Sequence, residues 1–187
     1  TAPDFTSEAT FSADENQKSI GTVTATDVEG DVVTFTVSGN ELLITTEGTL
    51  SFVDAPDYET KTSYTATVTA SDSVNTNDQT ITVNINNLND NNPVFTSSST
   101  LNGDENQTSI ANVTASDADG DSVTFTISGT DLAITSDGIL TFVTEPDYES
   151  VTSFTAVITA SDSERTTDQS VTVNVNNLND NAPVYTA

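Results

Sequence analysis

The chain has 187 residues, of which 29 are acidic and 3 are basic, and its formal net charge at pH 7 is -26. A charge of this size repels polyanions, so nucleic acid and anionic membrane surfaces are excluded as partners, and cations are favoured. Cysteine, histidine, tryptophan and methionine are absent, which excludes disulfides, zinc or haem ligation by cysteine or histidine, thiol catalysis and histidine-containing triads. No apolar run reaches the length of a membrane span, so no membrane insertion is expected.

The first half of the chain carries a series of short apolar patterns with a period of two, which predict half-buried strands. Val33, Phe35 and Val37 form the clearest of them, and threonine fills most of the alternate positions, as suits the solvated face of a sheet. No segment has a sustained helical period. In chain order, strands are expected near residue 11 and over residues 20–26, 33–37, 42–45, 49–53, 64–70 and 81–85.

The second half of the chain repeats the first at a shift of 90 residues, without an insertion. Asp14-Glu15-Asn16 aligns with Asp104-Glu105-Asn106, and Ala70-Ser71-Asp72 aligns with Ala160-Ser161-Asp162. Twelve acidic residues of the first unit have an acidic partner at this shift, so 24 of the 29 acidic residues occupy repeated positions. One structural unit is therefore 90 residues long, and its acidic residues are placed rather than scattered.

About seven strands per unit is the number typical of an immunoglobulin-like sandwich. We therefore predict an all-β fold of two tandem immunoglobulin-like antiparallel Greek-key β-sandwiches in an elongated arrangement, with domains at residues 1–91 and 92–187. A boundary segment occurs three times, at residues 2–6, 92–96 and 182–186. Further repeats are expected to flank the chain on both sides.

Carboxylates and amides dominate the loops between the predicted strands. Calcium takes about six to eight hard oxygen ligands, whereas magnesium retains more of its water and takes fewer protein ligands. The sequence therefore predicts several Ca²⁺ ions as cofactors.

The order of these loop motifs resembles that of the cadherin family over both units. Asp14-Glu15-Asn16 resembles the family's first-loop glutamate motif, and Asp57-Tyr58-Glu59 resembles its D-x-E motif. Residues 87–93 resemble the D-x-N-D-N-x-P linker, Asp117-Ala118-Asp119 the D-x-D motif, and Ala160-Ser161-Asp162 the late aspartate motif. The short unit and the lack of an N-terminal tryptophan are more similar to repeats of large bacterial surface proteins than to adhesive vertebrate cadherins.

The resemblance implies calcium at the junction between the two repeats. The ligands would come from three segments: Glu15, Asp57 and Glu59 of the first repeat; Asn87, Leu88, Asn89, Asp90 and Asn91 of the linker; and Asp117, Asp119 and Asp162 of the second repeat. Leu88 and Asn91 would contribute backbone carbonyls. The linker departs from the family pattern at Asn87 and Asn177, where the family has an acid, and this lowers the charge of the site.

Two further ligand sets are incomplete within this chain, so they are expected to bind calcium more weakly. One would await a preceding linker and the other a following domain. The sets are Asp27, Glu29 and Asp72 for the first, and Glu105, Asp147, Glu149, Asn179 and Asp180 for the second.

Other acidic and polar positions have simpler interpretations. A solvated turn or a capping role is preferred for Asp31, Asp78, Asp121 and Asp168, although the Asp121 carbonyl would still be able to serve a site. Paired carboxylates can act as the acid and base of a glycosidase, but every candidate occurs twice and no aromatic-lined cleft is evident, so no enzyme activity is expected. The sequons at Asn106 and Asn112 lack counterparts in the first unit and are interpreted as incidental.

The predicted function is that of a spacer and adhesion module, stiffened by calcium, in an extracellular, cell-surface or secreted protein that is bacterial. Its partners would be calcium and neighbouring repeats of the same chain. The alternative is a module that recognises a ligand directly, either through calcium-dependent homophilic contact or by binding polysaccharide. With 4 tyrosines, 8 phenylalanines and no tryptophan, most of them at core positions, the chain has little material for a carbohydrate platform.

Overall fold

The computed structural model describes residues 1–182 and divides the chain into two compact units, Thr1–Leu88 and Asn89–Ala187. All regular structure in the described residues is β-strand, so the predicted all-β class is confirmed. These residues contain no helix long and apolar enough to cross a membrane. The predicted domain boundary lies three residues beyond this division and stays a prediction. The third copy of the boundary segment, except Ala182, lies outside the described residues.

Unit 1 contains nine strands in three sheets. The four-stranded sheet has the order β2-β9-β8-β5, the three-stranded sheet has the order β3-β7-β6, and β1 pairs with β4. The pair β2 and β9 is parallel, and the other pairs are antiparallel. The strands are β1 (Asp4–Phe5), β2 (Thr10–Asp14), β3 (Ser19–Thr22), β4 (Ala25–Thr26), β5 (Thr34–Val37), β6 (Leu42–Ile44), β7 (Thr49–Phe52), β8 (Ser63–Ser71) and β9 (Thr76–Asn86).

Unit 2 repeats this topology strand for strand. Its sheets have the orders β11-β18-β17-β14, β12-β16-β15 and β10-β13, and β11 with β18 is again the parallel pair. The strands are β10 (Val94–Phe95), β11 (Thr100–Asp104), β12 (Ser109–Asn112), β13 (Ala115–Ser116), β14 (Thr124–Ile127), β15 (Leu132–Ile134), β16 (Ile139–Phe142), β17 (Ser153–Ser161) and β18 (Thr166–Asn176).

Nine strands per unit exceed the predicted seven because of two local features. The segment predicted as one strand over residues 20–26 is split into β3 and β4 at Val23, a fully buried residue whose amide donates to the Gly48 carbonyl at 2.8 Å. The boundary segment supplies β1, which has only two residues and therefore no alternation to detect. Alternation also carries no information on strand direction, so the parallel pair was not predicted.

Each unit has its own apolar core between the sheets. In unit 1 the inward positions of β7, β8 and β9 supply Leu50, Phe52, Val68, Ile81 and Val83, all almost completely buried. The corresponding residues of unit 2 are Leu140, Phe142, Ile158, Val171 and Val173. The period-two pattern therefore places the strands, while the loops at the sheet ends carry the acidic residues.

The backbone at Gly48, just before β7, lies close to the segment that joins β3 to β4, and substitution of this glycine tests the contact. Its φ is 93°, and a Cβ atom there would lie 2.1 Å from the Val23 carbonyl oxygen, whereas Gly39 has a φ of 84° with open space around it. We expect Gly39→Ala to lower the free energy of unfolding by about 1–2 kcal/mol, the cost of a left-handed residue. Gly48→Ala should cost about 3 kcal/mol or more, because the backbone must also move. Equal losses in urea denaturation of the two variants would contradict this packing.

Candidate metal centre

A buried glutamate follows the first long strand of unit 1. Glu15 comes directly after β2, and its side chain is 2% exposed. Its Oε2 accepts a hydrogen bond from the Tyr58 amide at 2.8 Å, and its Oε1 accepts one from the Leu88 amide at 2.8 Å. The carboxylates of Asp57 and Glu59 each offer an oxygen within 4.8 Å of the others and of Glu15. The fold thus gathers three predicted ligands of unit 1 into one acidic set.

Unit 2 builds the same arrangement around Glu105, which is 1% exposed. Glu105 accepts hydrogen bonds from the Tyr148 amide at 2.9 Å and the Leu178 amide at 2.5 Å. Asp147 and Glu149 again offer oxygens within 4.8 Å. A hydrogen bond from the Ser150 hydroxyl, at 2.7 Å, is the main reason that the pKa of Asp147 is lowered. The set therefore repeats that of unit 1, with its buried glutamate fixed by backbone amides.

A second acidic set in unit 2, formed by Asp117, Asp119 and Asp121, lies beside the first residues of that unit. Asp119 accepts hydrogen bonds through Oδ2 from the Asp90 amide at 3.0 Å and the Asn91 amide at 2.8 Å. Its Oδ1 accepts the Asn91 side-chain amide at 2.8 Å. The Asp119 amide in turn donates to Oδ1 of Asp117 at 3.0 Å. Linker residues and the D-x-D motif are therefore parts of one hydrogen-bonded loop structure.

Three oxygens near this second set are buried without a hydrogen-bond partner in the described part of the chain: Asn89 Oδ1, Asp117 Oδ2 and Asp162 Oδ2. Asp162 is 4% exposed, and its Oδ1 accepts the amides of Glu164 and Arg165 at 2.8 and 2.7 Å. Leaving a buried polar atom unpaired is costly, and more so for a charged one. The donor set is all oxygen, as calcium prefers, so these residues fit a bound Ca²⁺.

The corresponding set of unit 1 is partly satisfied by local donors. Asp72 accepts the amides of Val74 and Asn75 at 2.7 and 2.6 Å, and the Asn75 side chain at 3.1 Å. The bond from the Asn75 amide is the largest cause of its lowered pKa. Asp27 Oδ1 accepts the Glu29 amide at 2.9 Å, while Asp27 Oδ2 is buried without a partner. Asp72 has no unpaired buried oxygen, whereas its counterpart Asp162 has one.

Within single units, the structure brings together most but not all of the predicted ligands. Asp180 accepts the Asn106 side-chain amide at 2.6 Å and the Asn181 side-chain amide at 3.0 Å, and it does not lie in the Glu105 set. Asp121 does offer an oxygen within 4.8 Å of Asp117 and Asp119, although the preferred interpretation of its side chain was a solvated turn. The repetition of Asp31 at Asp121 is the sequence signal for it. The ligand assignments themselves stay predictions.

Glu15 should stabilise unit 1 even without metal, because it satisfies two backbone amides. In Glu15→Gln, one oxygen is replaced by an NH₂ group that cannot accept a hydrogen bond from the facing amide. We expect a loss of about 1–3 kcal/mol in the free energy of unfolding in a chelator. The control is Glu8→Gln, which makes the same charge change at an exposed position. Equal stability of the two variants would show that these hydrogen bonds contribute nothing.

The pH dependence of Asp162 follows from its environment. Burial alone would raise the pKa of its carboxyl group, but hydrogen bonds from the Arg165 and Glu164 amides outweigh burial and the pKa is lowered. A lowered pKa in the folded state means that the carboxylate stabilises the fold above its ordinary pKa, and that this contribution is lost as the pH falls through the folded-state value. In chelator, the stability difference between wild type and Asp162→Asn should be constant from neutrality to about pH 4 and shrink below it. A difference that grows in acid would contradict this sign.

The curated proteins that are similar to the chain include two cadherin receptors. Cadherin EGF LAG seven-pass G-type receptor 2 of Mus musculus and that of Homo sapiens are each 31% identical to the chain over 188 aligned positions, which include 89% of this chain and only 6% of each receptor. No protein-family model matches the chain.

Solved structures of cadherin ectodomains share the fold. Mouse cadherin-23 EC22-24 has a TM-score of 0.79 at 21% identity and covers 96% of this chain and 68% of its own. Drosophila N-cadherin EC1-4 has a TM-score of 0.77 at 21% identity, with coverages of 95% and 50%. Protocadherin gamma B2 extracellular cadherin domains 3-6 have a TM-score of 0.76 at 25% identity, with coverages of 97% and 51%. The predicted resemblance to cadherins is confirmed: the chain has the fold of a tandem pair of cadherin repeats, with an immunoglobulin-like sandwich in each unit.

Proposed function

We propose that this chain is a calcium-binding spacer and adhesion module of an extracellular protein, and that calcium between its repeats limits their relative motion. The observation that carries the proposal is the group of buried oxygens on Asn89, Asp117 and Asp162 that make no hydrogen bond of normal geometry, although the Asn89 side chain lies close enough to help lower the pKa of Asp162. Buried carboxylate and amide oxygens without a hydrogen bond are ligands that a hard divalent cation can satisfy. No reaction is assigned to the acidic sets, so the module is not proposed to be an enzyme.

Chain connectivity supports the sharing of ions between the units. Leu88, the last residue of unit 1, donates its amide to Glu15, and Asp90, in unit 2, donates its amide to Asp119. The Cα atoms of two residues separated by two positions in the sequence lie at most about 7 Å from each other. The two acidic sets are therefore tied to neighbouring points of one short linker. The proposed ligands are those named from the sequence: Glu15, Asp57, Glu59, Asn87, Leu88, Asn89, Asp90, Asn91, Asp117, Asp119 and Asp162.

Electrostatic repulsion gives the calcium dependence its sign. Two carboxylates about 4 Å apart repel each other by roughly 1–4 kcal/mol, depending on the effective dielectric constant. With metal absent, each acidic set therefore pushes its own loops apart. Bound calcium turns this repulsion into shared attraction, and because the ion binds the folded ligands preferentially, it stabilises them by mass action. Stiffness of the linker would thus follow calcium concentration.

The two outer sets are proposed as weaker calcium sites. The Asp72 carboxylate of the set Asp27, Glu29 and Asp72 is already satisfied by local donors. Glu105, Asp147 and Glu149 are proposed to act with Asn179 and Asp180, but Asp180 does not lie in that acidic set. Fewer ligand oxygens available to each ion reduce its affinity.

Direct ligand recognition, through homophilic contact or polysaccharide binding, is the second candidate, and the placement of the aromatic residues argues against the polysaccharide form. Every phenylalanine, and every tyrosine in the described residues, belongs to one of the two cores or packs against it. A flat aromatic platform for sugar rings is therefore absent from the described part of the chain. A cell surface or secreted location follows from the adhesive role, and a bacterial source is proposed from the short 90-residue unit.

Calcium titration of the whole chain tests the proposal. We expect calcium to raise the melting temperature, and chelation to broaden the distribution of interdomain angles in small-angle scattering. Asp162→Asn should weaken the tightest calcium binding by about tenfold or more. Asp168→Asn is the matched control, since this residue bonds the Thr159 hydroxyl on the sheet at 2.6 Å. Identical scattering and melting with calcium and with chelator would overturn the proposal.

A further inference from the structure

Both lysines of the chain bind the rim of one groove in unit 1. The groove has a volume of about 340 Å³ and lies between the start of β6 and the end of β7. Lys61 Nζ is 2.5 Å from Glu41 Oε1 and 4.2 Å from the centre of the Tyr64 ring. Lys18 Nζ donates a hydrogen bond to the Val53 carbonyl at 2.6 Å. This groove therefore offers ammonium groups a carboxylate, an aromatic face and a carbonyl.

Unit 2 contains the corresponding groove on the same backbone framework. The Val143 amide donates to the Asp131 carbonyl at 2.9 Å, as the Val53 amide does to the Glu41 carbonyl at 2.9 Å. The ring pair beneath is also repeated, because Phe142 lies 5.3 Å from Phe154 where Phe52 lies 5.1 Å from Tyr64. The groove of unit 2 has a volume of about 290 Å³.

The two grooves differ in their cations. At the 90-residue shift, Lys18 is replaced by Thr108 and Lys61 by Val151. The acidic character is kept, although Asp54 becomes Thr144 and Ala55 becomes Glu145, and Asp131 and Glu145 line the groove of unit 2. No basic residue is among its lining residues. No lysine of unit 2 therefore fills the position that an ammonium group occupies in the groove of unit 1.

We propose that the groove of unit 2 binds a lysine side chain of a partner protein. Its ammonium group would lie beside Asp131 and over the Phe154 ring, as that of Lys61 lies beside Glu41 and over Tyr64. Its alkyl stem would lie against Val143 and Val151. A cation over an aromatic face is attracted by the ring quadrupole, and the net charge of -26 draws basic segments towards the chain.

This binding goes beyond the proposed calcium function and does not depend on it. A single lysine at an exposed ion pair binds weakly, because solvent screens the charges. One side chain alone should therefore bind with a dissociation constant in the millimolar range, and a partner with several contacts would bind more tightly.

The test is a nuclear magnetic resonance titration of the isotope-labelled whole chain at saturating calcium, so that metal sites are filled throughout. The probe is Nα-acetyl-lysine N-methylamide, and the matched control is the norleucine analogue, which has the same stem without the ammonium group. We expect saturable shifts of the Val151 and Phe154 resonances with the lysine probe and a response at least about fivefold weaker with the control. Equal responses to both probes, or no saturable shift with lysine, would overturn the proposal.

The internal repeat supplies two reciprocal variants. Val151→Lys places a lysine of the chain where Lys61 stands in unit 1, and it should abolish binding of the probe. Lys61→Val opens the groove of unit 1, and it should create a second site reported by the Tyr64 resonances. Melting curves verify that each variant is folded. Probe binding that survives in folded Val151→Lys, or a Lys61→Val chain with no new site, would contradict the assignment.

Discussion

The structure depends on one constraint: it buries more carboxylate oxygens than it supplies with hydrogen-bond donors. Glu15 and Glu105 satisfy this constraint with two backbone amides each. One amide comes from the tyrosine of the D-Y-E loop and the other from the linker leucine, Leu88 or Leu178. Asp162 satisfies this constraint with only one of its two oxygens. The apolar cores contain no such oxygens, so any dependence on a cation would come from the acidic ends of the units. Metal dependence is therefore expected to be concentrated in the loops while the sheets remain intact.

The sequence predicted the sheets well and the loops only in part. Alternation such as that of Val33, Phe35 and Val37 reports burial directly, so the predicted strands agree with the observed ones. The same pattern in both 90-residue units supports each assignment twice. Two-residue strands and the parallel pairing of β2 with β9 leave no periodic signal. At the sites, motif order grouped Glu15 with Asp57 and Glu59, as the structure does. Buried oxygens without a hydrogen-bond donor could not be predicted from the sequence, because the absence of a donor depends on three-dimensional packing.

The two units share a backbone but are not interchangeable copies. Ala13 of β2 corresponds to Gly103 of β11, where a Cβ atom would lie 2.5 Å from the Phe142 ring. Lys61 corresponds to Val151, so an ion pair with Glu41 in one unit becomes an apolar wall in the other. The first difference changes packing inside the core and the second changes the surface, and both leave the sheet topology unchanged. Repetition therefore preserves the framework, while single side chains differ between the units.

The parallel pairing of β2 and β9 determines how one repeat bears tension. β2 lies near the beginning of the unit and β9 at its end, and they are joined over Thr10–Asp14 and Thr82–Asn86. A force that pulls the two ends of the repeat apart drives these strands past each other along their length. Their hydrogen bonds then share the load in shear instead of opening one after another, as the strands of a hairpin pulled at its open end would. Each repeat is thus built to resist extension through the shear-loaded pair of β2 and β9.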